Sequence, residues 1–348
     1  MTDNTTLEKQ ISSIWQSIKG FHIVHFINTG SELNLFITIR GFGEKGIHPE
    51  VLAKKLDLNY NYINKWCNSG VAWQILDVLK NDNIVLAPYM DSILTKKGDP
   101  RYLLPYINAC MNHFSHDMKN HSIYFKSGKT YKFQDHNKEF SDSIGEITEG
   151  LQTLMVTKII PNLNDINNSL NKDGTLLDFG CGTGKLLIKA SEVYKNAFFY
   201  GLDIDSNGLV SANKLVKTLK KENRIKFFDG SGNKQPKENS VDAITMVEVF
   251  HEIDKKLRDK ILKDLFKFLK PNGSIIILDE TMPEKENLRD ENGLLAVLTQ
   301  YNEMTWGNEV PTLDEQNKLL IDAGFESPNR QLIGGLFTLL IAKKKYNQ

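Results

Sequence analysis

The stretch Leu176-Leu177-Asp178-Phe179-Gly180-Cys181-Gly182-Thr183-Gly184 decides how this chain is read. An apolar strand runs through Asp178 into a turn with glycine at every second position, and Lys185-Leu186-Leu187-Ile188 then opens a helix. Glycines at 180, 182 and 184 remove side chains where the backbone must bend sharply and approach a ligand, and the first amides of the helix face that ligand. A phosphate-cradling P-loop would need glycine at 179 and serine or threonine at 186, where Phe179 and Leu186 stand. The dinucleotide fingerprint would need glycine at 185, and Lys185 occupies it. What remains is G-x-G-x-G preceded by an acid.

Outward from this turn, strands and helix-length segments alternate. Phe198 to Asp203 reads as a second strand ending in a carboxylate, which can accept both hydroxyls of a ribose. Ile225 to Asp229, followed by Gly230, is a third, and Val241 to Met246 a fourth. Ser274 to Leu278 is a fifth after the turn Lys270-Pro271-Asn272-Gly273, and a hairpin around Gly334-Gly335 supplies the last two. The alternation predicts an α/β fold: a doubly wound, Rossmann-like, seven-stranded sheet with a terminal antiparallel hairpin. A ligand of such a sheet binds beyond the carboxyl ends of the central strands, the edge that holds Asp178, Asp203 and Asp229.

The pattern resembles motif I of class I S-adenosylmethionine-dependent methyltransferases, and the resemblance covers roughly half the chain. It implies S-adenosylmethionine as cofactor, with S-adenosylhomocysteine as product. Asp178, Gly180, Gly182 and Gly184 would lie along the methionine part. Asp203 and Ile204 would meet the ribose, Asp229 and Gly230 the adenine, and Val247 and Glu248 would face the cofactor from the fourth strand. Cys181 reads as packing within the turn.

At 348 residues the chain is long enough for two domains. Lysine plus arginine equals aspartate plus glutamate at 43 each, so no overall attraction favours nucleic acid or an anionic membrane. Met1-Thr2-Asp3-Asn4-Thr5-Thr6 has neither the basic start nor the apolar stretch of a signal peptide. Three cysteines, at 67, 110 and 181, form no C-x-x-C pair and suit a reducing interior, so the expected location is the cytoplasm.

Three parts are expected. Residues 1–107 form a mostly helical winged-helix-like domain. A helix starts at Pro49, Asp57-Leu58-Asn59 turns, a second helix runs to Gly70, and a hairpin turns at Asn81-Asp82-Asn83. Such a module commonly reads DNA. Yet Asn59, Asn61, Asn64, Lys65 and Asn68, the exposed positions of its second helix, include one cation, too few to neutralise phosphates. The preferred reading is the use made of it by small-molecule O-methyltransferases, which the chain also resembles: homodimer formation and closure of the substrate pocket. Residues 108–170 form a helical connector whose His113-x-x-His116 lacks a cysteine or acid at a familiar ligand spacing, so no metal is expected. Tyr131 and Phe133 are candidates for the pocket wall. Residues 171–348 form the cofactor-binding domain.

Methyl transfer asks for little beyond placement, because the sulfonium carbon is already activated. A hydroxyl acceptor adds the need for a base. His251, after the fourth strand, is the candidate, standing where plant-type O-methyltransferases place a histidine in a His-Asp-Trp sequence, here followed by Glu252-Ile253. Glu280, beyond the fifth strand, is the second catalytic candidate, able to orient a base or an acceptor. Leu294 to Trp306 reads as a helix-like stretch with an apolar stripe. The expectation is therefore a methyltransferase acting on a small molecule, first at oxygen, with no nucleic-acid or membrane partner. The rivals are a ligand-sensing winged-helix regulator and a protein or nucleic-acid methyltransferase.

Overall fold

The computed structural model describes residues 5–232 and 234–345; Met1 to Asn4, and so most of the start read above for a targeting signal, lie outside the described residues. Backbone contacts divide the chain into two units, one ending at His116 and the other beginning at Asp117. The division falls inside the expected 108–170 connector, so most of that segment packs with the larger unit.

The first unit opens with the long helix Leu7–Glu32, whose first amides are capped by Thr6. Helix Pro49–Lys55 starts on proline, where the missing N–H is no loss, and Asn59 accepts the Tyr62 amide to cap helix Tyr60–Ala72. Strands β1 (Leu76–Val78) and β2 (Ile84–Leu86) then pair antiparallel as the expected hairpin. Phe26 stacks on Trp66 with ring centroids 4.4 Å apart, at the centre of a core that includes Leu35, Phe36, Leu52, Ile63 and Leu76.

The second unit is built on a seven-stranded sheet: β3 (Thr175–Phe179), β4 (Phe198–Asp203), β5 (Ile225–Asp229), β6 (Val241–Val247), β7 (Leu269–Asp279), β8 (Asn329–Ile333) and β9 (Phe337–Lys343). Their order is β5-β4-β3-β6-β7-β9-β8. The first five are mutually parallel, and β9 runs antiparallel between β7 and β8. Alternate residues feed two separate cores: Leu176, Ile276 and Leu278 point into one, Leu177, Ile275 and Ile277 into the other. Both faces are covered, which is why these strands read as continuous apolar runs rather than as alternating ones. The turn expected at Lys270 to Gly273 falls within the span of β7: these four residues stand opposite the single Asp242, Asn272 has φ 63°, and pairing with β6 jumps from Val241–Leu269 to Ala243–Ser274. Among the described residues no helix is long and apolar enough to cross a membrane.

Candidate active site

Strand order reverses between β3 and β6, and the crevice beyond their carboxyl ends is where such sheets take ligands. The glycine turn occupies this point, with Gly180, Gly182 and Gly184 all at positive φ (71°, 46° and 74°). The three glycines serve different ends. A Cβ on Gly180 would lie 2.4 Å from the Val249 side chain and one on Gly184 would lie 2.7 Å from the Phe227 ring, so both are packing requirements. A Cβ on Gly182 would meet nothing within 4 Å, and this is the one that faces open space. Helix Lys138–Ile147 rests on the turn, since a side chain at Gly145 would strike Thr183 Oγ1 at 2.6 Å.

The acids expected at strand ends differ in their surroundings. Asp178 is buried and accepts a hydrogen bond from Thr245 Oγ1 at 2.7 Å; burial pushes its carboxyl up to about 7. Asp203 accepts the Gly182 amide at 2.6 Å on one oxygen and the Asp205 amide at 2.8 Å on the other, and burial raises it to about 6. It therefore ties the glycine turn to β4, and each oxygen keeps a further lone pair for a ligand. Asp229 is its cross-strand partner but is exposed, and its carboxylate is held low by hydrogen bonds from the Ser231 hydroxyl and amide. The Gly230 amide donates to the Asp203 carbonyl at 2.7 Å, the Ile204 side chain is exposed, and Val247 is buried at the end of β6.

Glu248 follows at φ 57°, an uncommon backbone region for a residue with a side chain and one that clusters at functional sites. Its Oε1 is buried without a hydrogen-bond partner among the described residues. Burial, reinforced by Glu280, pushes its carboxyl well above the usual range.

His251 is only 2% exposed. Its Nδ1 lies 2.6 Å from Asp279 Oδ1 and 3.3 Å from Glu280 Oε2, and its Nε2 lies 3.3 Å from Glu303 Oε2. Burial alone would push the imidazole down, but Asp279, Glu280 and Glu303 outweigh it and hold its pKa well above 6.5. In this surround the cationic form of the imidazole is favoured. Asp279 is itself fixed from behind, with Oδ2 accepting the Val249 and Phe250 amides at 3.0 and 2.7 Å. Glu280 Oε1 accepts from Thr299 Oγ1 at 2.7 Å, while Oε2 has no hydrogen-bond partner among the described residues; burial raises this carboxyl to about 7. Arg258, 1% exposed, directs its guanidinium to the carbonyls of Ile253 and His251 at 2.9 and 3.2 Å and to that of Glu309, clamping the His251 loop.

The structure thus brings Asp178, the three glycines, Asp203 and Glu248 to one strand edge and joins Glu280 to His251; Asp229 lies outermost. Three residues escaped the sequence reading. Asp279 stood in a run of acids without a distinguishing mark. Glu252 stands next to His251 in the sequence with no spacing that sets it apart. Glu303 closes helix Leu294–Glu303, whose inward positions Ala296 and Thr299 precede it at i−7 and i−4. That spacing was the available signal, hidden within an apolar stripe.

Residues 170–318 match the family described as Methyltransferase domain. The chain is 33% identical over 131 residues to phosphoethanolamine N-methyltransferase of Plasmodium falciparum, a match covering 37% of this chain and 47% of that protein. It is 28% identical over 138 residues to O-methyltransferase 3 of Dictyostelium discoideum, covering 37% of this chain and 31% of that one. The chain therefore spans less than half the length of either relative. Its fold is like that of human N-acetylserotonin methyltransferase in complex with S-adenosylmethionine, with a TM-score of 0.73 at 15% identity over 99% of this chain and 100% of that one. The class follows from fold and match together: the second unit carries a methyltransferase domain. More particularly, the chain has the S-adenosylmethionine-dependent methyltransferase fold, and its likeness to solved structures such as an O-methyltransferase family protein of Burkholderia thailandensis, at 15% identity and a TM-score of 0.73, is a likeness of fold.

Proposed function

We propose that the chain transfers the methyl group of S-adenosylmethionine to an oxygen of a small molecule. One observation carries the reading: the bare Gly182 backbone and the Asp203 carboxylate share a sheet edge with a buried His251 ringed by acids. The first pair suits a ligand without phosphate but with sugar hydroxyls. The second suits proton removal.

In the reaction the acceptor oxygen forms a bond to the methyl carbon as the carbon–sulfur bond breaks in line, and the acceptor proton is lost to the protein. The His251 and Glu303 pair is placed to take it: with the imidazole favouring its cationic form, the proton goes to the Glu303 carboxylate, whose Oε2 lies 3.3 Å from Nε2, while Asp279 holds Nδ1. Much of the remaining acceleration comes from positioning.

The test is direct. Calorimetric titration should show S-adenosylhomocysteine binding to the purified chain, and incubation of S-adenosylmethionine with a metabolite library should return a methylated hydroxyl compound by mass spectrometry. No uptake of either compound at millimolar concentration ends this reading.

The same proposal includes a homodimer. Leu7, Ile11, Ile14, Ile18 and Phe21 follow a four-three spacing on the first helix and are all exposed, as is Trp15. A stripe of this kind on a 26-residue helix suits pairing with a second copy. Light scattering should give a dimer mass for the native chain and a monomer mass for Trp15→Glu combined with Ile14→Glu; a native monomer refutes it.

A further inference from the structure

We propose that the free edge of β5 is a docking site for an extended, acidic segment of a partner protein, which adds a strand to the sheet. The inference does not depend on the methyltransferase reading. β5 is the outermost strand: it pairs with β4 on one side and with no strand on the other among the described residues. A cleft of about 660 Å3 runs along that edge. All five residues of β5, Ile225 to Asp229, line it, and Asn213 and Val216 of helix Ser206–Thr218 form one wall. Consecutive strand residues point to opposite faces, so a cleft that touches every one of them follows the backbone edge rather than a face. Another extended chain fills such a space, and its main chain finds there the amides and carbonyls that β5 does not spend on β4.

The charge around the cleft states which kind of segment fits. Between Asn213 and Phe228 stand six cations and one acid, Glu222, in a chain whose cations and acids balance at 43 each. Arg224 is spent on the carbonyls of Ser191, Tyr194 and Ala197, and Lys221 lies 3.9 Å from Glu192. Lys214, Lys217, Lys220 and Lys226 are exposed and have no ion pair among the described residues. Helix Arg258–Phe268 shows the contrasting arrangement: Lys260 and Lys267 both meet Asp264, and Lys263 meets Asp259, all within one turn. On helix Ser206–Thr218 the neighbours of Lys217 at that spacing are Asn213, Lys214, Lys220 and Lys221, with no acid among them. Like charges so placed repel one another, and an anionic partner relieves that repulsion. Lys217 follows Asn213 by four residues and so shares its helix face, beside the cleft.

The two faces of β5 give the pattern of the segment. Ile225 and Phe227 pack into one core of the sheet and Phe228 against the other, so Lys226 lies on the Phe228 face. A strand laid alongside meets Lys226 on one face and apolar neighbours on the other, and the sequence that suits it alternates acidic with apolar residues. Lysine on an edge also deters indiscriminate pairing, which narrows the partners to acidic ones. Nucleic acid suits the cleft less well. Its aromatic rings are already engaged, Phe227 against Gly184 and Gly201 and Phe228 edge-on to Tyr200, which leaves no platform for a base.

A fluorescein-labelled peptide of alternating glutamate and valine, titrated with the full chain at physiological salt, tests the site by fluorescence anisotropy. We expect saturable binding, and protection of the β5 amides from hydrogen exchange when the peptide is present. Lys217→Glu combined with Lys226→Glu should weaken binding by about tenfold or more, with melting temperature and S-adenosylhomocysteine affinity close to native. The same peptide N-methylated throughout keeps its charge but cannot donate backbone hydrogen bonds, and it should not bind. Absence of any anisotropy change up to millimolar chain overturns the proposal, as does binding unchanged in the well-folded double variant. Equal binding of the N-methylated peptide overturns it too, because charge alone then acts and no strand is added. Tighter binding of a single-stranded oligonucleotide than of the peptide would make the lysines a nucleic-acid surface and likewise end it.

Discussion

The two halves of the crevice are built on opposite principles. At the glycine turn, polar groups are satisfied largely by nearby backbone: Asp203 by the amides of Gly182 and Asp205, Asp229 by Ser231. Around His251, three separate segments converge and carboxylates outnumber their partners, so that among the described residues Glu248 and Glu280 keep oxygens without a hydrogen bond. A preformed, locally closed cradle suits a ligand that is the same in every turnover. An electrostatically incomplete pocket suits a partner that completes it. The contrast predicts that substitutions at the turn act on donor affinity and folding, and that substitutions around His251 act on the rate.

The largest expected effect is at His251. His251→Ala should reduce turnover of whichever acceptor the library screen returns by roughly a hundredfold or more, with S-adenosylhomocysteine affinity nearly intact. If donor affinity falls with the rate, the two halves are not separable and the contrast fails.

Next come the glycines, which divide the turn itself. Gly180→Ala combines a left-handed backbone at φ 71° with a Cβ 2.4 Å from Val249. The first costs about 1–2 kcal/mol and the second about 1–3 kcal/mol, so denaturant unfolding should show a large loss of stability. Gly182→Ala carries only the conformational cost but fills open space, so calorimetry should show weakened donor binding with a smaller stability loss. Equal losses of stability in the two variants would mean that Gly182 does not face a ligand.

Asp203 and Asp229 test the cradle more finely. Asp203→Ala removes the acceptor for two backbone amides and should weaken S-adenosylhomocysteine binding by about tenfold or more, a charged hydrogen bond contributing about 1.5–3 kcal/mol. The exposed Asp229, bonded only within its own loop, should change affinity severalfold at most when replaced by alanine. A larger effect at 229 than at 203 would move the adenosine outward along β5.

The same contrast explains what the sequence made visible. The turn, its acid and the successive strand-end carboxylates are short-range features, each fixed by a backbone need that a few consecutive residues must meet. The apolar runs Leu176-Leu177 and Ile275-Ile276-Ile277 announced a sheet covered on both faces. The surround of His251 depends instead on where β7 and helix Leu294–Glu303 deliver Asp279 and Glu303 after folding. No local pattern distinguishes those acids from solvated ones. The charge of His251 is hidden in the sequence for the same reason: its position is legible, but the three acids that set its charge are not.

The smallest effect is a dependence of stability on pH, and its sign separates the ligand-free cradle from the filled one. Asp178 is raised to about 7 from the ordinary 3.8. Across that window the folded chain holds a proton that the unfolded chain has released, so stability is present at the acid end and lost as pH rises through about 7. Asp203, at about 6, and Glu280, at about 7, act in the same sense. His251, held above 6.5, extends the loss beyond neutrality. The ligand-free protein should therefore melt at progressively lower temperature from about pH 5 to about pH 8, by at most about 1.4 kcal/mol per pH unit for each group, and Asp178→Asn should flatten the curve. S-adenosylhomocysteine carries an ammonium group, which beside Asp178 would favour the charged carboxylate and cancel part of the loss. Its stabilisation, read as the shift in melting temperature on saturation, should grow with pH over the same window. A shift that is constant or shrinks would place the ammonium away from Asp178, and with it the donor would lie reversed in the cradle.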